Sequence, residues 1–250
     1  MTMTHTHTKT RRGKLANAIK AVLFDMDGTL VQLRTAGRMV VLNETLADFG
    51  KPPLTDADQV GKFWFTSERY AMIDSWGITR PEFWKAFDCE RLLQLQLEHT
   101  YAYDDAGLTL AHLHQRGLRL GIVSNSAHVS LNPKLMLLEE EIAREHFEVV
   151  VSCNDDVRRT KPWADGVELA LAKMNLRPDE ACLVGDSLDD IGAGNNAGVR
   201  VLIVDRGQIP TLNEAMKSQN LLYKFDVINS LQQIPQALSL PSFRTVNAAA

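Results

Sequence analysis

The stretch Ala21-Val22-Leu23-Phe24-Asp25-Met26-Asp27-Gly28-Thr29-Leu30 decides the fold. Four consecutive apolar residues ending in a carboxylate read as a strand buried on both faces, which places it centrally in a parallel sheet. In open α/β sheets ligands gather beyond the carboxyl ends of the strands, so Asp25 is presented to a ligand and not to the core. In extended backbone residues i and i+2 point the same way, so Asp25 and Asp27 can converge on one reacting centre. Gly28 permits a sharp turn and a close approach to that centre. Asp and Gly are also ordinary turn formers, so the stretch takes its meaning from the rest of the chain.

Outward from this strand, residues 33–103 change character. Met39, Val40, Leu42, Leu46 and Phe49, then Phe83, Trp84 and Phe87, then Leu92, Leu93 and Leu97 recur at helical spacing. Gly50 with Pro52 and Pro53, and Gly77 with Pro81, break the pattern. The expectation is a helical insertion with no strand in it, standing over the strand ends as a lid. From Ala106 an α/β rhythm begins. A helix ends at Gly117, and the strand Leu118–Val123 stops at Ser124-Asn125. A helical segment from Pro133 to about His146 leads to the strand Val149–Val151, and a polar loop then reaches Lys161-Pro162. After another helix, the strand Ala181–Val184 opens into Gly185-Asp186-Ser187-Leu188-Asp189-Asp190. Val201–Val204 is a fifth strand, and Tyr223–Ile228 adds a sixth.

Strands that alternate with helices imply an α/β fold with a doubly wound parallel sheet and right-handed crossovers. The polar clusters follow strands one, two and four, at one edge of the sheet. The division is a disordered lead over 1–17, a core of 18–32 and 104–240, the helical insert 33–103 and a flexible tail over 241–250.

The totals fit this picture. A chain of 250 residues with 45% hydrophobic and 23% charged residues suits one large or two small globular domains. A net charge of −4 argues against a nucleic-acid partner, and no apolar run is long enough for a membrane span. Cys89, Cys153 and Cys182 lack metal-type spacing and read as reduced, mostly buried thiols in a cytoplasmic protein. The Thr-rich, basic lead up to Lys14 has no apolar core, which argues against secretion while leaving organelle targeting open.

The chemistry follows from charge. A carboxylate such as Asp25 attacking a phosphate monoester meets roughly 4 kcal/mol of repulsion per like-charge pair at about 4 Å, and about twice that from a dianion. Lys161 can supply one positive charge, and a divalent ion held by acidic residues can supply two. Few oxygen ligands with phosphate as a further ligand suit Mg²⁺. Asp186 and Asp190, four residues apart at a helix start, are the candidates to complete a cation site with Asp25, although capping by Ser187 or Asp189 explains part of that acidity. Ser124 and Asn125 follow a strand, where a hydroxyl and an amide can bind a phosphoryl oxygen.

This ordered set, an Asp pair, then Ser-Asn, then Lys-Pro, then Gly-Asp with a further Asp, is similar to the four motifs of the haloacid dehalogenase-like (HAD) superfamily over roughly residues 20 to 205. The resemblance implies a HAD-like Rossmannoid core, with the insert in the position of a C1-type α-helical cap. The region from Lys161 to Gly198 looks most like the phosphoglycolate phosphatase-like branch. The implied activity is a Mg²⁺-dependent phosphatase acting on a small phosphorylated metabolite through an aspartyl-phosphate. Carried onto this chain, Asp25 is the nucleophile, and Asp27 protonates the leaving group and then activates water. Ser124, Asn125 and Lys161 bind substrate. Asp25, the Asp27 carbonyl and Asp186 hold Mg²⁺, with Gly28, Thr29, Asp189 and Asp190 in support and the choice between the last two open. An acid at Asp27 favours phosphoryl transfer over dehalogenation. A phosphomutase of the same fold and a non-catalytic binding protein are the alternatives, and either a monomer or a homodimer is compatible.

Arg34, Arg38, His128, Arg158 and Arg159 are placed to meet a second anionic group or else are solvated surface charges. Trp64, Trp76 and Trp84 stack on substrate or, the reading preferred here, fill a small helical core.

Overall fold

Strand β1 (Ala21–Phe24) is fully buried, and its side chains alternate between two cores. Val22 and Phe24 pack with Leu120, Ile122, Val184 and Leu202, whereas Ala21 and Leu23 pack with Val123, Val151, Val167 and Leu183. This is the period-two alternation of a strand covered on both faces. The computed structural model describes residues 18–240 apart from 67, 139–141, 143, 208–212, 214–216 and 218–221. The expected disordered lead over 1–17 and flexible tail over 241–250 lie outside the described residues.

Two parallel neighbours flank β1, namely β4 (Arg119–Ser124) and β6 (Ala181–Gly185). Beyond β4 lies β5 (Phe147–Ser152), and beyond β6 lie β7 (Arg200–Val204) and β8 (Asp226–Ile228), giving the order β5-β4-β1-β6-β7-β8. The sheet is parallel throughout. Winding reverses beside β1, so the loops after β1, β4 and β6 part around a crevice at one edge. Helices α6 (Ala106–Gln115) and α7 (His128–Leu135) cover the face that holds Phe24, while α8 (Asp165–Lys173) and α9 (Leu188–Ala197) cover the face that holds Leu23.

The insert holds α1 (Thr35–Asp48), α2 (Ala57–Phe65), α3 (Glu68–Ser75), α4 (Arg80–Phe87) and α5 (Glu90–Glu98). A Thr79–Glu82 capping box with Pro81 starts α4. The helices share a core of Val41, Leu42, Leu46, Phe63, Ile73, Phe83 and Phe87, against which Trp64, Trp76 and Trp84 pack partly buried. Phe63–Trp64 and Phe83–Trp84 meet edge to face at 5.7 and 5.2 Å, so the tryptophans fill this core.

Two expectations are corrected. The insert is not free of strand: β2 (Val31–Leu33) pairs antiparallel with β3 (Thr100–Ala102) and joins its two ends at the base. Three residues are too few to show a period, and their partners lie far away in the chain. The helix after β4 is His128–Leu135 with Pro133 inside it, not a segment from Pro133 to His146. Proline at a first turn is the usual reading, but here burial of Leu131 and Leu135 holds the turn before it helical. Among the described residues, the 3₁₀ turns Met136–Leu138 and Arg144–His146 then lie between α7 and β5. Cys153 and Cys182 are buried and Cys89 is half-buried, all as free thiols. Among the described residues no helix is long and apolar enough to cross a membrane.

Candidate active site

Asp25 extends the central ladder by one bond, its N–H donating to the Val184 carbonyl at 2.9 Å, and so stands at the carboxyl ends of β1 and β6. Ser124 ends β4 and Asp186 follows β6. Lys161 reaches in from the loop between β5 and α8, with its side chain 3% exposed. Its ammonium donates at 2.6 Å to Asp25 Oδ1 and at 2.6 Å to Asp190 Oδ1. The Asn125 amide holds the backbone of Lys161, accepting its N–H at 2.9 Å and donating to its carbonyl at 3.2 Å. The buried Ser124 hydroxyl accepts the Ser126 N–H at 3.1 Å.

Asp190, rather than Asp189, turns toward Lys161. Ser187 caps α9, which puts Asp190 at the third helical position, where its carboxylate accepts the Ser187 N–H at 3.1 Å and the Asp186 N–H at 3.2 Å. One carboxylate therefore closes a capping box with Oδ2 and pairs with Lys161 through Oδ1. Capping and charge pairing, which look like rival explanations in the sequence, are the same side chain.

One oxygen each of Asp25, Asp186 and Asp190 lies within 4.8 Å of the others. Burial pushes the Asp25 carboxyl up to about 7; Lys161 opposes the rise and Asp190 adds to it. Burial likewise drives Asp186 well above the carboxylate range, reinforced by Asp25 and Asp190. Burial works against the charge on Lys161, but Asp190 and Asp25 outweigh it and hold its pKa above the usual lysine range. Three carboxylates face one ammonium. An all-oxygen donor set with surplus negative charge fits a hard divalent cation, which Asp25 and Asp186 could hold because Asp190 is taken up by Lys161.

The space for Asp186 exists because residue 28 is glycine. Its φ is +86°, and a Cβ built there would overlap Oδ2 of Asp186. Gly28→Ala is therefore expected to weaken divalent-cation binding at least about tenfold by displacing Asp186, and to cost roughly 2 kcal/mol of backbone strain. Calorimetric titration with Mg²⁺ and thermal melts, expected to fall by about 4–8 °C, check this. Thr29 beside it is fully buried, and its carbonyl accepts from Arg206 at 3.2 Å.

Asp27 points to different partners. The Lys134 ammonium donates to its two oxygens at 2.7 and 2.9 Å, and the Ser126 hydroxyl donates to Oδ2 at 2.7 Å. Crowding by protein pushes its carboxyl upward, but Lys134 and Ser126 more than offset this and hold it below the usual carboxylate range. Neither Lys134 nor Ser126 stands out in the sequence. Ser126 at least adjoins Ser124-Asn125, but a lysine on a short helix reads as solvated, and only its burial in the fold marks it.

Of the cations read as possible selectors of substrate, His128 lies 3.0 Å from Asp156, and Arg159 pairs with Asp165 at 2.7 Å and covers Trp163. Arg158 is exposed, and Arg34 lies over Tyr101. Arg38 is half-buried: burial lowers its pKa while Tyr103, Tyr101 and Asp186 oppose that fall.

Asp88 caps the C-terminal end of α4 and is half-buried. Burial pushes its carboxyl up to about 6, Lys134 opposes, and Asp155 and Asp27 add to the rise. A folded pKa above the unfolded value means that ionisation costs stability as pH climbs from about 4 to 6. Asp88→Asn is expected to stabilise the protein by about 1 kcal/mol at pH 7.5, allowing for its partial exposure, with the gain shrinking toward pH 4. Denaturant unfolding across that range measures it.

Three comparisons bear on this arrangement. The chain is 30% identical over 195 residues to the pyrophosphatase PpaX of Anoxybacillus flavithermus, covering 73% of this chain and 81% of that protein. It is 29% identical over 198 residues to the N-acetylmuramic acid 6-phosphate phosphatase of Pseudomonas aeruginosa, covering 76% and 84%. Its fold superposes on CbbY of Rhodobacter sphaeroides, solved in complex with phosphate, with a TM-score of 0.68 at 22% identity, covering 89% and 100%. The family model described as haloacid dehalogenase-like hydrolase matches residues 19–198, a span that contains every loop converging on Lys161, and the chain belongs to that family of hydrolases.

Proposed function

We propose that this protein is a Mg²⁺-dependent phosphatase that hydrolyses a small phosphorylated metabolite through an aspartyl-phosphate on Asp25. The observation that carries this reading is the Lys161 ammonium, buried and 2.6 Å from both Asp25 and Asp190, which fixes one carboxylate for attack while a second neutralises the lysine. The names of the two relatives, a pyrophosphatase and a sugar-acid 6-phosphate phosphatase, support hydrolysis of a phosphoryl group.

In the first step an Asp25 oxygen bonds to phosphorus as the bond from phosphorus to the leaving oxygen breaks, and Asp27, in its protonated form, gives that oxygen a proton. In the second, Asp27 takes a proton from water as the water oxygen attacks phosphorus, and the bond to Asp25 breaks to release phosphate. Lys161 and Ser124 contact the phosphoryl oxygens, and Asn125 keeps Lys161 in place beside them. Asp190 orients Lys161, and Gly28 and Thr29 shape the turn that brings Asp27 to the leaving group. Asp25, the Asp27 carbonyl and Asp186 would hold Mg²⁺, which when bound would supply the charge that offsets the repulsion between Asp25 and a phosphate dianion. The helical insert over 33–103 acts as the cap that excludes bulk water from the core of 18–32 and 104–240. The reading places the enzyme in the cytoplasm with neither nucleic acid nor membrane as partner.

The test is phosphate release from pyrophosphate, phosphoglycolate, sugar phosphates and nucleotides, with and without Mg²⁺. Mg²⁺-dependent release is expected from at least one. Well-folded protein that releases none overturns the reading, and turnover that requires a bisphosphate activator replaces it with a phosphomutase. At 100 times its dissociation constant Mg²⁺ should also stabilise the fold by about 2.7 kcal/mol.

A further inference from the structure

Lys134 lies in none of the strand-end motifs, yet it touches the site and the helical insert together. Its side chain is 10% exposed, and its ammonium bonds both oxygens of Asp27 at 2.7 and 2.9 Å. Ser126 adds a third bond to the same carboxylate at 2.7 Å. Asp27 is thus gripped by two side chains of the segment that follows β4. On its other side Lys134 helps line a groove between α7 and α5, together with Leu93, Gln96, Leu97, Val129 and Pro133. The positive charge of Lys134 also opposes the burial-driven rise in the pKa of Asp88, which belongs to the insert. A lysine so far removed from water is held there by its carboxylate partner, and the partner is held in return.

We propose that Lys134 is a positioning residue for the hydrolysis: it acts through Asp27, orienting that carboxyl so that one oxygen stays on the ammonium when the other leaves it to exchange a proton with the leaving group. The inference rests on the phosphatase reading. The step it serves moves one proton from an Asp27 oxygen to the leaving oxygen as the phosphorus–oxygen bond breaks, and one from water to Asp27 as the intermediate is hydrolysed. Lys134 transfers nothing itself. Its place beneath α5 ties the geometry of Asp27 to the seating of the insert.

The experiment compares an alkyl phosphate, whose leaving group needs a proton, with 4-nitrophenyl phosphate, whose leaving group does not. Lys134→Met keeps the apolar stem in the groove and removes the ammonium. It is expected to lower kcat/KM, which reports the first step and not the shared hydrolysis of the intermediate, at least about tenfold on the alkyl ester and much less on the nitrophenyl ester. Lys134→Arg should recover part of the loss. In the Asp27→Asn background Lys134→Met should cost nothing further, because a residue that acts through Asp27 has nothing left to position. Equal losses on the two esters, or losses that add in the double variant, overturn the proposal. A parent protein that hydrolyses neither ester overturns the phosphatase reading instead. The pair is then decided by melting temperatures of the metal-free single and double variants: non-additive shifts support the Lys134–Asp27 coupling, and additive shifts overturn it.

Discussion

Asp25→Asn is expected to lower Mg²⁺-dependent phosphate release by roughly a thousandfold or more, while leaving the protein folded. The amide matches the carboxylate in shape but is neutral and a poor nucleophile, so the first bond to phosphorus does not form. The accompanying stability change separates loss of chemistry from loss of structure. Burial lifts the Asp25 carboxyl to about 7, with Asp190 adding to the rise, so its ionisation costs the metal-free protein stability as pH climbs from about 4 to 7. Above pH 7 the metal-free Asp25→Asn protein should therefore melt no lower than the parent, since Asp190 still engages Lys161. A variant that keeps more than about a tenth of the parent activity would remove Asp25 from the nucleophile's role.

Lys161→Met should be the most damaging change to the site as a whole. It takes away the ammonium that lies 2.6 Å from two buried carboxylates and leaves Asp25, Asp186 and Asp190 crowded together. Removing one partner of a buried ion pair costs about 3–5 kcal/mol, which for a chain of this size is roughly 10 °C in melting temperature. The loss should be deepest above pH 7, where the carboxyls ionise, and Mg²⁺ should restore part of it by neutralising Asp25 and Asp186. Activity should fall about 10²–10³-fold, because the charge aimed at the phosphoryl oxygens is gone. Lys161→Arg should not rescue it: with the side chain 3% exposed, a planar fork does not fit where a point charge bridges two oxygens. Melts and steady-state assays at pH 6 and 8 decide both parts.

What the amino-acid order determined by itself is whatever is written within a few consecutive residues. The apolar runs at Ala21–Phe24, Ala181–Val184 and Val201–Val204 carry their own burial pattern, and the polar residues that end them mark one edge of the sheet. Asp25, Ser124, Lys161 and Asp186 were legible for that reason, since each follows or approaches a strand end. The aromatic residues of the insert likewise announce a small core by helical spacing alone. Tertiary structure decided the rest. The β2–β3 pairing joins segments on either side of five helices, and no local signal specifies it. The phase of α9, set by Ser187 as its cap, turns Asp190 and not Asp189 to Lys161. The engagement of Asn125 with the Lys161 backbone requires β4 and the loop after β5 to lie side by side. Lys134 is the clearest case, because it differs from a solvated lysine only in being packed under α5, with its partner 107 positions away in the chain. Burial of apolar runs is local and additive, whereas a buried charge takes its partner from whichever distant segment the packed core brings within hydrogen-bond range.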